Sequence, residues 1–407
     1  MSSQSLVCTA CGCLCDDIRV EIDGANLGRI ENACAKGAAY LRSSFDPQRR
    51  AEALIRGQRR SLGEAIQEAV HLFSKAKNLL VFGLDNSTLE SQAVAIELAK
   101  RLGGTIDDAS SFSYGAMMHK ILTEDLPTCS LSEVKDKADL LIYWGANPPH
   151  THPRHLSKYT YYAYADYNPA GWFPKVTLSC VEVRQTELSA MCKPSFRIRP
   201  GQDKEFINAI LDEGQDGHDE ARKFREMVVK SRFCAIFCGL GLIYSLDNDL
   251  ISFSEMAHTF SQSTRIAVIP MIAAANMRGF HQSLYKQTGY VNSISFAGGI
   301  SHGSEFSLLE QIRNRVPECV LIVGSDPFSA LPQSIIKNLQ GINVICLDHF
   351  RTPTTISADV VIPTALPGVE YGGSMIRMDG DEVALAGPKK IDNPTEEEVL
   401  KQLAGSI

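Results

Sequence analysis

The sequence predicts an α/β protein with doubly wound parallel sheets in two lobes, preceded by a small cysteine-rich N-terminal unit. Three observations support this prediction. Five of the twelve cysteines fall within the first 34 residues. Short apolar runs alternate with segments of helical periodicity, and most of these runs end in glycine, proline, asparagine or aspartate. Strands that alternate with helices form parallel sheets covered on both faces, so the apolar runs are expected to be buried strands.

Length and composition limit the class of protein. A chain of 407 residues is expected to form two or three domains, and its pattern predicts a cysteine-rich unit at 1–58, an α/β lobe at 59–200 and a second lobe at 201–407. The net charge of −7 argues against non-specific nucleic-acid binding. No apolar run reaches the ~18 residues of a membrane helix. We therefore expect neither a nucleic-acid partner nor a membrane segment.

The cysteine-rich unit has the spacing of a metal site. Its N-terminus, MSSQSLVC, has neither a basic start nor an apolar core, so we expect a cytoplasmic, reducing location in which clustered cysteines are metal ligands more often than disulfides. Four cysteines give the spacing C-x2-C-x3-C-x18-C, which suits a [4Fe-4S] cluster: Cys8, Cys11, Cys15 and Cys34. Zinc and a set of buried free thiols remain as alternatives. Cys13 is an extra thiol that either points elsewhere or substitutes as a ligand.

The first lobe begins with the apolar run 79–83, which predicts a buried strand, and Ser87 is expected to cap a helix that ends near Leu102. The runs 140–144 and 176–183 predict two further strands. Loops after parallel strands are where such sheets bind ligands. The candidate binding residues of this lobe are therefore those that follow or end these two strands: Gly145, Asn147, Pro148, Glu182 and Arg184.

The second lobe shows the same pattern of apolar runs followed by polar loops. Apolar runs at 234–238, 266–269, 320–323, 344–347 and 360–362 predict buried strands. The run 320–323 ends in Gly324-Ser325-Asp326, which makes Gly324 and Asp326 candidate binding residues. The Gly239-Leu240-Gly241 turn is only weak evidence for a ligand-binding loop, since a single GxG occurs often by chance.

Three histidines, His150, His152 and His155, lie within six residues of the segment that follows the strand 140–144. A metal site is one interpretation of this segment, but its prolines impose an extended, kinked chain, in which the spacing of the histidines sets no common direction for their side chains. A loop that binds phosphate or a pterin diphosphate, or the relic of one, is the favoured interpretation.

Four stretches together resemble one family, the B subunit of formylmethanofuran dehydrogenase, a relative of the molybdopterin oxidoreductases. They are 8–17 (CTACGCLCDD), 32–37 (NACAKG), 139–155 (DLLIYWGANPPHTHPRH) and 358–380 (ADVVIPTALPGVEYGGSMIRMDG). The resemblance implies a molybdopterin-oxidoreductase-like fold, a [4Fe-4S] cluster on the first four cysteines, and strand-end loops that in archaeal members hold a bis-pterin tungsten or molybdenum cofactor. In those members the metal reduces carbon dioxide to formate.

The chain departs from this family at three expected active-site positions. In the archaeal family a cysteine or selenocysteine ligates the metal and the next histidine assists the chemistry. The matching stretch here, 107–115 (DDASSFSYG), has Ser113 and Tyr114 at these places. Gly298 is expected to replace an arginine that faces the metal. The three changes predict a degenerate site without catalytic residues, and we expect molybdopterin or tungstopterin to be absent and the strand-end loops to be vestigial.

These departures resemble the bacterial branch of the family, the formyltransferase/hydrolase complex. The resemblance implies a structural B subunit that works with A, C and D subunits to convert formyl-tetrahydromethanopterin to formate, using a methanofuran-type carrier, during formaldehyde oxidation. The chemistry would belong to the A subunit, a zinc hydrolase, and the D subunit, a formyltransferase. Two alternatives remain: an active formylmethanofuran dehydrogenase that uses Ser113 as metal ligand, and an iron–sulfur electron-transfer subunit without pterin.

Overall fold

The fold is taken from a computed structural model, which describes residues 2–24, 26–163, 176–212, 219–389 and 391–406. The strands, in chain order, are β1 Ser2–Cys8, β2 Cys15–Asp23, β3 Asn26–Glu31, β4 Leu54–Ile55, β5 Gln58–Arg59, β6 Leu79–Gly83, β7 Thr105–Asp107, β8 Leu140–Trp144, β9 Thr177–Glu182, β10 Ser195–Arg197, β11 Phe233–Cys238, β12 Arg265–Pro270, β13 Ile294–Ser295, β14 Ser301–His302, β15 Cys319–Val323, β16 Asn343–Asp348, β17 Val360–Pro363, β18 Gly373–Ile376 and β19 Glu382–Leu385.

The α-helices alternate with these strands over most of the chain. They are α1 Ala35–Ser44, α2 Leu62–Lys75, α3 Leu89–Arg101, α4 Gly115–Leu122, α5 Leu131–Lys137, α6 Pro148–Thr151, α7 His155–Lys158, α8 Glu187–Met191, α9 Asp203–Leu211, α10 Asp219–Lys230, α11 Leu240–Ser245, α12 Ile251–Ser261, α13 Met277–Thr288, α14 Leu308–Arg313, α15 Gln333–Ile336, α16 Pro353–Ser357 and α17 Glu396–Gly405. Among the described residues, no helix has the length and apolar character needed to cross a membrane.

The described residues form two compact units. The first contains those of 1–112, 274–377 and 382–407, and the second contains those of 113–273 and 378–381. The boundaries predicted at residues 58 and 200 do not coincide with the limits of these units, because the chain leaves the first unit after Phe112 and returns to it at Ala274. The three-part division of the chain stays a prediction.

The first unit is organised around a nine-stranded sheet of order β14-β13-β7-β6-β15-β16-β17-β4-β5. Its five central strands, β7 to β17 in that order, are parallel, and the strands at both ends pair antiparallel. Alternate residues of the central strands enter two different apolar clusters: Leu79 and Val81 of β6 belong to one, and Leu80 and Phe82 to the other. Both faces of the sheet are therefore covered, as the apolar runs predict.

Two small antiparallel sheets complete the first unit. The cysteine-rich N-terminal region forms the sheet β1-β2-β3, and β18 pairs with β19. The second unit contains one parallel sheet of order β10-β9-β8-β11-β12. The predicted α/β class, the parallel sheets and the cysteine-rich N-terminal region are confirmed.

One predicted helix start is wrong by a single residue. Thr88, not Ser87, is the N-cap of α3, and its hydroxyl accepts a hydrogen bond from the Ser91 N–H. Serine and threonine are similar N-cap residues, so two such residues in succession leave the start of the helix ambiguous in the sequence. The fold resolves the ambiguity because Ser87 lies in the turn after β6, where its N–H donates to the carbonyl of Leu84.

Candidate functional site

The first candidate site is a set of five cysteines, here called the thiol group: Cys8, Cys11, Cys13, Cys15 and Cys34. Four of them lie at the end of the β1–β2 hairpin, where Cys8 and Cys15 are opposite each other. Between them the chain turns tightly, because Leu14 has a φ of 39° and donates its N–H to the Cys11 carbonyl at 3.1 Å. Opposed cross-strand residues direct their side chains to the same face of the sheet. The hairpin therefore collects these cysteines at one end of the sheet.

Cys34 joins the thiol group from the start of α1. It is the N-cap residue of the helix, and its sulfur accepts a hydrogen bond from the Gly37 N–H at 3.3 Å. A Cβ on Gly37 would lie 2.9 Å from Cys8 Sγ and 3.7 Å from Cys34 Sγ. The missing side chain at position 37 therefore leaves room for both sulfur atoms beside the same point of the backbone.

The thiols influence one another electrostatically. Cys11 Sγ and Cys13 Sγ lie within 4.8 Å of each other. The hydrogen bond between them lowers the pKa of Cys11 to about 7 and raises the pKa of Cys13, while burial raises the pKa of Cys8 to about 12. A metal binds the thiolate form and displaces the proton. The thiol group can therefore bind a metal.

The structure places all four cysteines predicted as ligands in this group, and it also places Cys13 there. Cys13 and Cys15 are close enough for the charge of Cys15 to raise the pKa of Cys13. The role of Cys8, Cys11, Cys15 and Cys34 as ligands of a [4Fe-4S] cluster stays a prediction.

The second set of predicted site residues follows β8 in the second unit. The order of the sheet reverses between β8 and β11, which is the position at which α/β sheets bind ligands. The Gly145 carbonyl accepts a hydrogen bond from the Gly241 N–H at 3.2 Å, and a Cβ on Gly239 would lie 2.0 Å from that carbonyl oxygen. Glycine backbone therefore fills the crevice between the ends of these two strands.

The other predicted residues of this unit lie at the rim of its sheet. Asn147 donates its side-chain N–H to the Glu187 carboxylate at 3.1 Å, and Pro148 is the first residue of α6. Glu182 ends β9, where burial raises the pKa of its carboxyl. Arg184 lines an open cleft of about 310 Å³ with Glu187.

The three neighbouring histidines do not form one metal site among the described residues of this unit. His150 lies 3.4 Å from the Glu187 carboxylate and is exposed. The ring of His152 is hydrogen-bonded on both sides, to the Thr151 hydroxyl and to the Ile272 carbonyl, each at 2.8 Å. His155 is completely buried and burial lowers its pKa, since it packs between aromatic rings.

The third set of predicted residues, Gly324 and Asp326, follows β15 in the first unit. The Gly324 carbonyl accepts a hydrogen bond from the Asn86 side chain at 3.1 Å, and a Cβ at Gly324 would lie 2.9 Å from the Glu396 carboxylate. The Asp326 carboxylate accepts hydrogen bonds from the N–H and the hydroxyl of Thr354, at 3.0 and 2.6 Å. Both Gly324 and Asp326 thus take part in contacts within the chain.

Buried carboxyl groups gather at the same end of the nine-stranded sheet. They follow or end the parallel strands, and one starts α17: Asp85, Asp107, Asp108, Asp348 and Glu396. Burial raises the pKa of Asp85 to about 8, and the pKa values of Asp107, Asp348 and Glu396 to about 7. We call these five residues and Asp326 the acidic edge.

The acidic edge does not suit an anionic cofactor. Each of its carboxyl groups has a nearby carboxyl neighbour: Asp108 raises the pKa of both Asp85 and Asp107, and Asp348 raises that of Glu396. A diphosphate placed at this edge would add negative charge where charge is already disfavoured by burial. The residues present therefore do not fit a pterin dinucleotide at this edge.

The three degenerate positions lie in different surroundings. Ser113 and Tyr114 immediately precede α4 and are buried. The Tyr114 hydroxyl donates to the Met271 carbonyl at 2.9 Å, and burial raises its pKa. Gly298 lies in an exposed turn between β13 and β14 with a φ of 73°, and a Cβ at this position would contact nothing within 4 Å.

The sequence alone did not single out most of the acidic edge as a group. Asp85, Asp107 and Asp348 each end or follow an apolar run, which is the available signal in the sequence. Glu396 carries no such signal, since it is one of three successive glutamates at the start of α17. Only the packing of α17 brings its carboxylate to Gly324.

Curated relatives match nearly the whole chain. The B subunit of tungsten-containing formylmethanofuran dehydrogenase 2 from Methanocaldococcus jannaschii is 27% identical over 433 residues, which cover 99% of this chain and 98% of the relative. The subunit of the same name from Methanococcus maripaludis is 24% identical over 429 residues, with the same coverage. The resemblance to this family suggested by the four sequence stretches is thus confirmed over the full length. No protein-family model matches the chain.

A solved structure shows the same fold. A chain of the formyltransferase/hydrolase complex from Methylorubrum extorquens, determined in complex with methylofuran, superposes with a TM-score of 0.68. The match covers 87% of this chain and 98% of that chain at 16% sequence identity.

Proposed function

We propose that this chain, which is similar over its full length to formylmethanofuran dehydrogenase B subunits, is the structural B subunit of a cytoplasmic formyltransferase/hydrolase complex. In this proposal the complex converts formyl-tetrahydromethanopterin to formate during formaldehyde oxidation. The chain assembles with A, C and D subunits and performs no redox chemistry itself.

The observation that carries the proposal is the pair Ser113 and Tyr114. The resemblance assigns a metal-binding thiolate and an assisting histidine to these two positions. The phenol at position 114 cannot act as a proton carrier near neutral pH, because burial raises its pKa and its proton is donated to the Met271 carbonyl. The hydroxyl at position 113 is a much poorer ligand for a soft metal than a thiolate.

The strand ends support the same conclusion. In the first unit the acidic edge disfavours a diphosphate, and in the second unit the contact of Gly145 with Gly239 and Gly241 fills the crevice where the strand order reverses. No catalytic step is therefore assigned to a pterin on this chain.

The thiol group has a different role in this proposal. Its donor set and the space left by Gly37 suit a [4Fe-4S] cluster held by Cys8, Cys11, Cys15 and Cys34. Such a cluster supplies electron transfer in redox subunits. Here its ligands would tie the β1–β2 hairpin to the start of α1, since Cys34 comes from the helix and the other three from the hairpin.

The chemistry of the complex then lies in the partner subunits. One subunit transfers the formyl group from the pterin nitrogen to a methanofuran-type carrier, and a second uses water to cleave the resulting formyl amide into formate and free amine. Neither step changes an oxidation state, so neither needs electrons from this chain. A reaction without a redox step agrees with a B subunit that has no redox site.

Metal analysis of the purified native complex tests the proposal. We expect tungsten and molybdenum below one tenth of an equivalent per chain, about four iron atoms per chain from the [4Fe-4S] cluster, and zinc in the hydrolase subunit. Stoichiometric tungsten or molybdenum would contradict the proposal and favour an active dehydrogenase with Ser113 as ligand.

An activity assay separates the remaining alternatives. We expect formate release from formyl-tetrahydromethanopterin without an electron acceptor, and no viologen reduction with formate or formylmethanofuran. A brown complex that bleaches on reduction, keeps electron-transfer activity and loses both with Cys11→Ala would instead identify an iron–sulfur electron-transfer subunit.

A further inference from the structure

The segment 49–60 (RRAEALIRGQRR) is strongly basic. It contains five arginines and one glutamate, although the net charge of the chain is −7. It forms β4 and β5, which end the nine-stranded sheet on one side, so that β5 is an edge strand. With one arginine from the loop after β16, it makes a surface that we call the arginine edge: Arg49, Arg50, Arg56, Arg59, Arg60 and Arg351.

A cleft of about 440 Å³ opens within the arginine edge. It is lined by three of the arginines, Arg50, Arg59 and Arg351, by one carboxylate, that of Glu52, and by apolar side chains that include Leu54 and Ile356. Ile356, in α16, is 59% exposed. The cleft therefore combines positive charge with an exposed apolar side chain.

Most of the positive charge at this surface is not neutralised by the chain itself. Two of the six arginines are ion-paired, and one of these, Arg50, forms a buried ion pair with Glu370 at 2.7 Å. Arg59 pairs with Glu52 at 2.6 Å, but both side chains are largely exposed, and such pairs contribute little. Within the part of the chain that the structure describes, the side chains of Arg49, Arg56 and Arg351 form no ion pair.

Protection of the sheet edge explains only part of this surface. Charged side chains on an edge strand hinder pairing with other chains, and this accounts for Arg59 on β5. It does not account for Arg351, which lies outside β5, or for the exposed Ile356 on α16. The convergence of two separate segments on one cleft indicates a binding surface.

We propose that the arginine edge docks a carboxylate-rich segment of a partner subunit in the assembly proposed above, on which this inference rests. Arginine binds carboxylates in a planar, bidentate geometry, and Arg59 and Arg351 line the same cleft as Ile356. The segment places its carboxylates on these arginines and an apolar side chain against Ile356. Complementary charge of this kind determines which partner binds and how fast.

The test compares two doubly substituted chains in co-purification with separately tagged A, C and D subunits. Arg59→Glu with Arg351→Glu reverses two charges in the cleft. The control, Arg222→Glu with Lys223→Glu, makes the same change in charge at exposed positions of α10. We expect the cleft variant to bind the partner subunits at least tenfold more weakly at low ionic strength, and the control to bind as the wild type does. Wild-type binding should weaken as salt is added.

The milder pair Arg59→Gln with Arg351→Gln removes the charges without reversing them and should show an intermediate loss of binding to the partner subunits. Circular dichroism of each variant checks that it is folded. Equal binding by the cleft variant and the control would overturn the inference while leaving the proposed function in place. Failure of the wild-type chain to bind any partner subunit would overturn both. Retention of nucleic acid at this surface, abolished by the cleft substitutions, would also overturn the inference.

Discussion

Gly37 shows how a single missing side chain shapes the thiol group. The residue lies in the first turn of α1, where the Cys34 sulfur accepts its N–H, and the Cys8 sulfur approaches from the hairpin. Alanine is normally the better helix former, so the glycine is unfavourable for the helix by itself. Its value is the space it leaves for the two sulfur atoms.

We predict that Gly37→Ala weakens metal binding and lowers the free energy of unfolding by about 1–3 kcal/mol, because its Cβ would lie 2.9 Å from Cys8 Sγ. Iron content and thermal unfolding measure the two effects. Gly63→Ala is a matched control, since Gly63 also lies in the first turn of a helix and has nothing within 4 Å of its Cβ position. Equal iron content in both variants would refute the role given to Gly37.

Tyr114 has a structural role in the fold as observed. We predict that Tyr114→Phe lowers the free energy of unfolding by about 1–3 kcal/mol, because the buried Met271 carbonyl loses its donor. Tyr244→Phe, at a position that is 61% exposed, should change it by less than about 0.5 kcal/mol. Urea denaturation of the purified chains provides both values. Identical midpoints for the two variants would contradict the prediction.

At the scale of secondary-structure elements, α17 brings a carboxyl group to the loop after β15 in the first unit. A capping box of Thr395 and Glu398 starts the helix, and its apolar face, with Val399, Leu400 and Leu403, packs into the core of the nine-stranded sheet. This packing fixes Glu396 at Gly324. The helix therefore places a carboxyl group beside the strand-end loop that follows β15.

We predict that Glu396 makes the chain less stable as pH rises. Its pKa is raised by burial to about 7 in the folded state, from an ordinary value of 4.5. The folded state thus holds a proton that the unfolded state has lost. The stabilisation is complete below pH ~4.5 and is lost as pH rises through about 7, with a slope of at most ~1.4 kcal/mol per pH unit.

Glu396→Gln should reduce that slope, and urea denaturation between pH 5 and 8 measures it. Several other titratable groups interact electrostatically with Glu396, so part of the pH dependence of the free energy of unfolding should remain in this variant. These groups are Tyr40, Asp85, Cys346, Asp348 and Tyr371. Glu97→Gln, at an exposed position of α3, is the control and should leave the slope unchanged. An unaltered slope in Glu396→Gln would show that its carboxyl is ionised in the folded state.

At the scale of the whole molecule, the proposed absence of redox function rests on more than the two residues before α4. The acidic edge disfavours a diphosphate in the first unit, and glycine backbone fills the crevice of the second. These features lie in different sheets and arise from contacts of different segments. Repair of one position should therefore not restore a cofactor site.

We predict that Ser113→Cys with Tyr114→His does not confer tungsten or molybdenum binding when the complex is produced in a host that makes the pterin cofactor. Elemental analysis measures the result. The Ser113→Cys chain alone, which keeps the hydrogen bond of Tyr114, is the control for stability. Stoichiometric metal in the double variant would mean that the strand ends can still hold the cofactor.

Local patterns in the sequence were enough to predict the α/β class, the buried strands and the cysteine-rich region, because each depends on residues a few positions apart. The helical and strand periods, the C-x2-C-x3-C spacing and the residues after each strand are all of this kind. The resemblance to the B-subunit family also rests on short stretches. The arginine-rich segment 49–60 is visible in the same way.

Only the tertiary structure decided which of these residues meet. Glu396 lies beside Gly324, Tyr114 donates to Met271, and Arg351 lines the same cleft as Arg59. These partners are far apart in the chain, and the first unit itself is built from separated segments. These contacts depend on how whole helices and sheets pack. The local periodicity of the sequence does not specify that packing. The same packing places carboxyl groups and glycine backbone at the strand ends, where the sequence predicts ligand-binding loops.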